Sequence, residues 1–229
     1  LRLGRRPPGP LAFYVGATFL LTLGLALAPP TDWDGLFYHL TLPRLYIEQA
    51  RIAPITDMPH QFFPGGVEML YAAQMLLRGD VAAKLVHYGF MLLLAGIIYL
   101  IAEQQIGRRV AWGAVTLYAA IPMVAVLGGW AYTDLALAFY QMAALYALLR
   151  WSQQPRLPWI VLAGILCGLA LGVKYTAFLC PLYLLLVMVL LGASRQTPRG
   201  KVVRAMALLI GVSALVAAPW YARNLACTG

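Results

Sequence analysis

The chain has 229 residues, of which 62% are apolar and 11% are charged, and its formal net charge is +9. Soluble domains carry about 25% charged and roughly 45–50% apolar residues, so this composition excludes a disordered chain and argues against an ordinary soluble domain. The long apolar runs instead indicate that lipid surrounds most of the protein. Three cysteines are too few for a disulfide framework.

Apolar segments that could cross a bilayer recur along the whole chain. A spanning helix needs about 20 mostly apolar residues, within a range of about 17–25. The predicted spans are Leu11–Ala28, Ala82–Ala102, Val110–Trp130, Leu135–Leu149, Trp159–Val173, Ala177–Ala193 and Val202–Ala218. The fifth of these is short, and it is expected to extend to Phe178 if the Lys174 side chain snorkels to the membrane surface.

The basic residues predict the orientation of these spans. If the N-terminus is cytoplasmic and Phe62–Leu77 does not cross, 11 of the 17 basic residues face the cytoplasm, where Lys and Arg near helix ends are usually retained. They are Arg2, Arg5, Arg6, Arg108, Arg109, Arg150, Arg156, Arg195, Arg199, Lys201 and Arg204. Seven of the eight acids then face the other side. We therefore predict seven spans, and the positive charge reflects topology rather than nucleic-acid binding.

The longest predicted non-spanning stretch, residues 30–81, is expected to form the first extracytoplasmic loop. Loops of this length are usually functional. A polar helical face carries Thr41, Arg44, Glu48 and Arg51. The opposite face carries Leu36, Leu40, Pro43 and Ile47. This pattern predicts an amphipathic helix on the membrane surface, kinked at Pro43. Phe62–Leu77 is predicted to be a second interfacial helix.

Three acids on the predicted outer face are candidates for catalysis or for helix capping. Asp32 and Asp34 precede the first-loop helix, where an acid is a good N-cap and complements the helix dipole. Asp134 precedes the next predicted span in the same way. The alternative is that one of the first-loop acids is a catalytic carboxylate at the bilayer surface. The residues alone leave both interpretations open.

Lys174 and Arg223 are the cations expected at the same membrane depth as these acids. Each has a structural interpretation, since Lys174 could snorkel and Arg223 could sit in an aromatic belt. Lys and Arg are also the side chains that bind phosphate. Because the topology brings Asp34, Asp134 and both cations to one depth, we predict that they form one site.

Two other patterns are assigned to structure. His39 and His60 lack the spacing of a zinc motif such as HExxH, so no metal site is predicted. Gly164, Gly168 and Gly172 recur every four residues, which is typical of close helix contacts in membranes.

Five motifs follow one another along the chain. They are Asp32-Trp33-Asp34-Gly35 with Tyr38-His39, then Phe63-Pro64-Gly65-Gly66-Val67-Glu68, Tyr132-Thr133-Asp134, the Gly168–Thr176 run that contains Lys174, and Pro219-Trp220-Tyr221-Ala222-Arg223-Asn224. In this order they resemble the GT-C glycosyltransferases, most closely the bacterial branch related to protein O-mannosyltransferases and the lipid A aminoarabinose transferase. The resemblance implies an all-α polytopic enzyme whose N-terminal seven-span module corresponds to residues 1–229.

The resemblance also implies an activity and site residues. In the family, a first-loop Asp four residues before a Tyr is the catalytic base, which selects Asp34 before Tyr38, with Asp32 as the reserve. The implied reaction is inverting transfer of a sugar from a polyprenyl phosphate to an acceptor, on the outer face of a bacterial inner membrane. Lys174 and Arg223 would bind the donor phosphate.

Two further expectations accompany this resemblance. Asp134 would orient the acceptor, Asp34 or a divalent cation. Gly35 stands where many relatives have a second acid, so neither the acceptor type nor a metal requirement is carried over.

Two other functions are alternatives to the enzyme. One is an accessory transmembrane subunit of a larger membrane complex. The other is a transporter, which is disfavoured because no charged residue lies in the middle of a predicted span. The chain starts at Leu1 rather than Met and ends at Gly229 just after an apolar run, so we expect it to be part of a longer protein.

Overall fold

The computed structural model describes residues 9–52, 54, 58–194 and 197–228. These residues form helices and no strand, which confirms the predicted all-α class. The α-helices are α1 (Gly9–Leu27), α2 (Thr41–Glu48), α3 (Gly66–Arg78), α4 (Asp80–Gln105), α5 (Arg108–Ala120), α6 (Pro122–Gly128), α7 (Asp134–Gln153), α8 (Leu157–Leu171), α9 (Leu179–Ser194) and α10 (Arg199–Thr228). Charged residues of the predicted topology that lie outside the described ranges are Arg2, Arg5, Arg6, Asp57 and Arg195.

Several helices are long and apolar enough to cross a membrane. They are α1, α4, α10 and the segment Tyr175–Ser194, in which a 3-10 turn leads into α9; the bent pair α5 and α6 is a fifth candidate. α3 has 13 residues, so it is roughly 20 Å long and too short for a hydrocarbon core of about 30 Å. The protein is therefore a polytopic membrane protein. The count of seven membrane spans stays a prediction.

The predicted Val110–Trp130 span is wrong as one continuous helix. It is divided into α5 and α6, whose axes are bent by 71°. Pro122 begins α6, and the residue before a proline avoids the helical conformation. Ile121 accordingly has an extended backbone, with φ −75° and ψ 111°.

The predicted extension of the Trp159–Val173 span through Lys174 to Phe178 is also wrong. α8 ends at Leu171, and the N–H of Gly172 still donates to the carbonyl oxygen of Gly168 at 3.0 Å. Lys174 is extended, with φ −157° and ψ 146°, and a 3-10 turn then begins at Tyr175. The chain therefore leaves the helix just before the candidate cation.

The last helix is longer than predicted. The apolar pattern predicts a span over Val202–Ala218, whereas α10 continues through an internal Pro219 to Thr228. Arg223 and Asn224 are consequently helical residues, held on the last turns of a 30-residue helix.

The chain forms two compact units. The first comprises Leu1–Ile47 and Leu70–Leu135, and the second comprises Glu48–Met69 and Ala136–Gly229. The predicted first loop therefore contributes residues to both units. In the first unit, Gly128 of α6 allows close packing, because a Cβ there would lie 2.5 Å from Met91 Sδ and 2.8 Å from Thr22 Cγ2.

In the second unit, α8 and α10 pack through the predicted glycines. A Cβ on Gly164 would lie 2.9 Å from Val212 Cβ, and a Cβ on Gly168 would lie 2.6 Å from Val216 Cβ. The hydroxyl of Ser213 donates to the Gly164 carbonyl oxygen at 3.1 Å across the same contact. The predicted helix contact is confirmed.

Enlarging Gly168 should destabilise the second unit. Gly168→Leu places its side chain against the α10 backbone, and overpacking of this kind costs about 1–3 kcal/mol. Gly211→Leu is the matched control, because a Cβ at Gly211 meets nothing within 4 Å. Thermal unfolding of both variants in the same detergent should show a lower Tm for Gly168→Leu only. Equal shifts would contradict the α8–α10 contact.

Candidate functional site

A widened helical turn carries the first-loop motif. Residues Gly35–His39 form a π-helix, in which the N–H of Leu40 donates to the Gly35 carbonyl oxygen at 2.8 Å. Such π turns are rare and often occur at functional sites. Pro43 lies in the first turn of α2, so the predicted kink is replaced by this wide turn before the helix.

The helix that follows agrees with the predicted amphipathic pattern on its polar side. Arg44 is exposed and pairs with Asp80 at the start of α4, with Nη2 2.6 Å from Oδ2. On the predicted apolar face Leu40 and Pro43 are buried, whereas Leu36, which precedes the helix, is 47% exposed; Leu42 and Tyr46 are buried as well.

Asp34 is half-buried and its carboxylate has a hydroxyl partner. Tyr38, four residues later, donates to Asp34 Oδ2 at 3.4 Å. The spacing that selected Asp34 from sequence therefore corresponds to a contact on one side of the turn. Tyr38 itself is buried against His39, with the ring centroids 4.1 Å apart.

Tyr132 interacts electrostatically with three acids of the first unit. Burial raises the pKa of its hydroxyl, a hydrogen bond from the Asp34 backbone lowers it, and the charges of Asp34, Asp32 and Asp134 raise it further. Tyr132 is therefore a neutral phenol at physiological pH. The tyrosine hydroxyl of Tyr71 donates to the Tyr132 carbonyl oxygen and holds this turn. The three predicted acids therefore all interact electrostatically with one tyrosine of the first unit.

Asp32 differs from Asp34 in its surroundings. Its side chain is 4% exposed, and neither carboxylate oxygen has a hydrogen-bond partner among the described residues. The carboxylate rests on Gly35, where a Cβ would lie 1.8 Å from Asp32 Oδ2. Gly35 therefore leaves the space that Asp32 occupies.

Lys84 supplies the charge that balances Asp32. It is buried in α4, interacts electrostatically with Asp32, and donates through Nζ to the carbonyl oxygens of Leu25 at 2.9 Å and Ala28 at 2.6 Å. A cation there also complements the C-terminal end of the α1 dipole. These contacts assign Asp32 and Lys84 to the packing of the first unit.

Removing Lys84 alone should therefore destabilise the protein. Lys84→Met removes two hydrogen bonds to backbone carbonyl oxygens, each worth about 1.5–3 kcal/mol for a charged donor, and it also removes the electrostatic partner of Asp32. The double variant Lys84→Met/Asp32→Asn should recover only the Asp32 part of that loss in thermal unfolding. A double variant that is no more stable than Lys84→Met would show that Asp32 and Lys84 do not interact.

Lys174 belongs to the second unit, next to a close backbone approach. The Gly66 N–H donates to the Gly172 carbonyl oxygen at 2.8 Å, and a Cβ on Gly66 would lie 2.8 Å from that oxygen. Glycine is therefore required at position 66. The contact joins the start of α3 to the turn after α8, on which Lys174 is half-buried.

Arg223 also lies in the second unit, where it contacts the part of the predicted first loop that precedes α3. Its Nη1 donates to the Gln61 carbonyl oxygen at 2.7 Å and to Asn224 Oδ1 at 3.3 Å. The Asn224 amide donates to the Phe62 carbonyl oxygen at 2.6 Å and to the Tyr175 hydroxyl at 2.9 Å. Arg223 therefore contributes to the structure of the unit as well as being a candidate phosphate ligand.

The two sets of predicted residues belong to different units, so their predicted convergence stays a prediction. Sequence reasoning missed Tyr132 and Asn224 as site residues, although both stood inside quoted motifs. His39 lies against Tyr132, with ring centroids 5.6 Å apart. Among the residues that the structure describes, no group of three His, Cys, Asp or Glu side chains could hold a metal ion.

Comparison with known proteins assigns the chain to a family. The model of the dolichyl-phosphate-mannose-protein mannosyltransferase family matches residues 68–221, a range that includes Asp134 and Lys174. A Shigella flexneri protein described as uncharacterized is 30% identical over 138 residues, which cover 57% of this chain and 67% of the relative. No solved structure matches the chain. Since the family match covers more than half of the sequence, the chain belongs to the dolichyl-phosphate-mannose-protein mannosyltransferase family of GT-C membrane glycosyltransferases.

Proposed function

We propose that the protein transfers a sugar from a polyprenyl-phosphate donor to an acceptor at the extracytoplasmic face of a bacterial inner membrane. The family membership supports glycosyl transfer, and the family name specifies a sugar carried on a lipid phosphate. The observation that carries the proposal is Asp34, a half-buried carboxylate on a π turn that accepts a hydrogen bond from Tyr38 and adjoins Tyr132.

Asp34 acts as the general base in this proposal. Its carboxylate removes a proton from the acceptor hydroxyl, whose oxygen attacks the anomeric carbon as the bond from that carbon to the phosphate oxygen breaks. The electron pair of that bond leaves with the lipid phosphate. Because the acceptor attacks the face of the sugar opposite the departing phosphate, the configuration inverts. The phosphate is already a good leaving group, and no protonating acid is required.

The acids around Asp34 have different roles. Asp134 is the first residue of α7 and is half-buried. We assign its carboxylate to orienting the acceptor, Asp34 or a divalent cation. Asp32 is retained as the reserve base, but its burial and its interaction with Lys84 favour a structural role.

Lys174 and Arg223 are assigned to the donor phosphate. Negative charge grows on the phosphate as the bond to the sugar breaks, and fixed cations stabilise it more in the transition state than in the ground state. Lys174 is a point charge on a flexible stem, whereas Arg223 is anchored through Gln61 and Asn224. The assignment rests on this chemistry and on the resemblance of both motifs.

A transfer assay with the full-length protein in nanodiscs tests the proposal. Radiolabelled mannose, glucose and galactose are supplied on polyprenyl phosphate, with a lipid and glycan extract of the producing cells as acceptor, and the matching nucleotide sugars serve as control donors. We expect labelled product and released polyprenyl phosphate with at least one lipid-linked donor. Transfer from nucleotide sugars alone would contradict the donor class. If neither the lipid-linked sugars nor the nucleotide sugars support transfer, the accessory-subunit alternative is favoured.

A further inference from the structure

A histidine in the first unit holds the backbone beside Asp134. His87 of α4 is completely buried, and its Nδ1 lies 2.9 Å from the carbonyl oxygens of both Leu127 and Trp130. Its Nε2 accepts a hydrogen bond from the backbone N–H of Leu135 at 3.2 Å. One ring therefore joins three helices: it sits on α4, contacts the end of α6 and contacts the start of α7.

These partners determine the protonation state and the tautomer of the His87 ring. Two carbonyl oxygens at Nδ1 require a proton there, and a donating N–H at Nε2 requires a lone pair there, so His87 is the neutral Nδ1–H tautomer. The Leu135 N–H is in the first turn of α7, where the helix itself offers no acceptor. His87 supplies that acceptor.

Asp134 is the residue directly before this bond. From these contacts we infer that His87 is a positioning residue, which holds the Trp130–Leu135 turn and thereby places the Asp134 carboxylate. The catalytic part of this inference rests on the proposed function, in which Asp134 orients the acceptor or the base. A catalytic group displaced by about 1 Å can lose 10²-fold in rate, so loss of the His87 contacts should be visible in turnover.

A double-variant cycle separates positioning from general stabilisation. His87→Leu has a similar volume but no donor or acceptor, and it should lower kcat by about 10–100-fold with little change in KM. His87→Gln offers both an N–H donor and an oxygen acceptor, and it should restore most of the rate. In an Asp134→Asn background, His87→Leu should lower kcat by less than about twofold, because the effects of substituting two coupled residues are not additive. The same loss in both backgrounds would overturn the inference.

Hydrogen exchange tests the same inference without relying on activity. The Leu135 amide should exchange faster in His87→Leu than in the wild-type protein or in His87→Gln. Thr22→Val is the control, since it removes a buried polar group of the first unit that is hydrogen-bonded within its own helix, at 3.0 Å. Unchanged Leu135 exchange in His87→Leu would refute positioning.

Misfolding of a variant and an inactive wild-type protein lead to different conclusions. If His87→Leu fails to fold, His87→Phe, a ring with no donor or acceptor, replaces it in both experiments with the same expectations. If the wild-type protein shows no transfer but His87→Leu still exposes the Leu135 amide, the proposed function fails while the structural role of His87 stands.

Discussion

Asp34→Asn should lower the single-turnover rate of sugar transfer by about 10²–10⁴, the usual worth of a positioned general base. The amide keeps the size of the side chain and can still accept a hydrogen bond from Tyr38, but it cannot take the acceptor proton. Donor binding should therefore change little. The measurement is transfer of labelled sugar from polyprenyl phosphate by folded, membrane-inserted protein.

Asp32→Asn is the matched control for this variant. It removes a buried carboxylate two residues away whose charge interacts with that of Lys84, so we expect a lower Tm with transfer largely retained. If Asp32→Asn abolishes transfer while Asp34→Asn retains it, the reserve residue is the base and the assignment of Asp34 is wrong.

Lys174→Gln should produce the second-largest loss, about 10²–10³ in kcat, which is the typical cost of removing one group that stabilises transition-state charge. The loss arises because the departing lipid phosphate no longer meets a cation. Lys174→Arg should recover part of the rate, since charge is restored with a different geometry.

Lys201→Gln is the control for charge in general. Lys201 is exposed in the first turn of α10, so its removal lowers the net charge equally without touching the proposed site. Equal losses in Lys174→Gln and Lys201→Gln would point to an electrostatic effect of the whole protein rather than a phosphate ligand. Arg223 is less suitable for this test, because its substitution also breaks the contact with Gln61.

The parts of the fold that the sequence predicted are those controlled by local pattern. The apolar runs located the helices, and the four-residue spacing by which the family resemblance selects Asp34 corresponds to its contact with Tyr38. Glycines spaced by four identified the face of α8 that packs against another helix, which is α10. Each of these features is determined within one or two turns of helix, so neighbouring residues in the sequence are enough to predict it.

Helix ends within apolar runs were predicted less well. Pro122 divides one apolar run into α5 and α6, whereas Pro219 leaves α10 unbroken. Both prolines remove a backbone donor, and packing decides whether the chain bends there. A hydropathy window does not contain that information.

Long-range polar contacts could not be predicted at all. The partners of Lys84 are carbonyl oxygens more than 50 positions away, at Leu25 and Ala28, and Asn224 reaches back to Phe62. Backbone carbonyl oxygens are present at every residue, so the sequence does not indicate which of them a buried side chain will meet. The sequence therefore predicted the motif residues of the candidate site. It did not predict the residues that hold those motif residues in place.

The stereochemistry of one turnover tests the central claim most directly. The full-length protein in nanodiscs is given a polyprenyl-phosphate sugar of known anomeric configuration, and the product is analysed by NMR while released polyprenyl phosphate is quantified. Direct attack by the acceptor predicts the opposite anomeric configuration and one released lipid phosphate per transferred sugar. A product with the donor's configuration, or transfer without release of polyprenyl phosphate, would contradict the account.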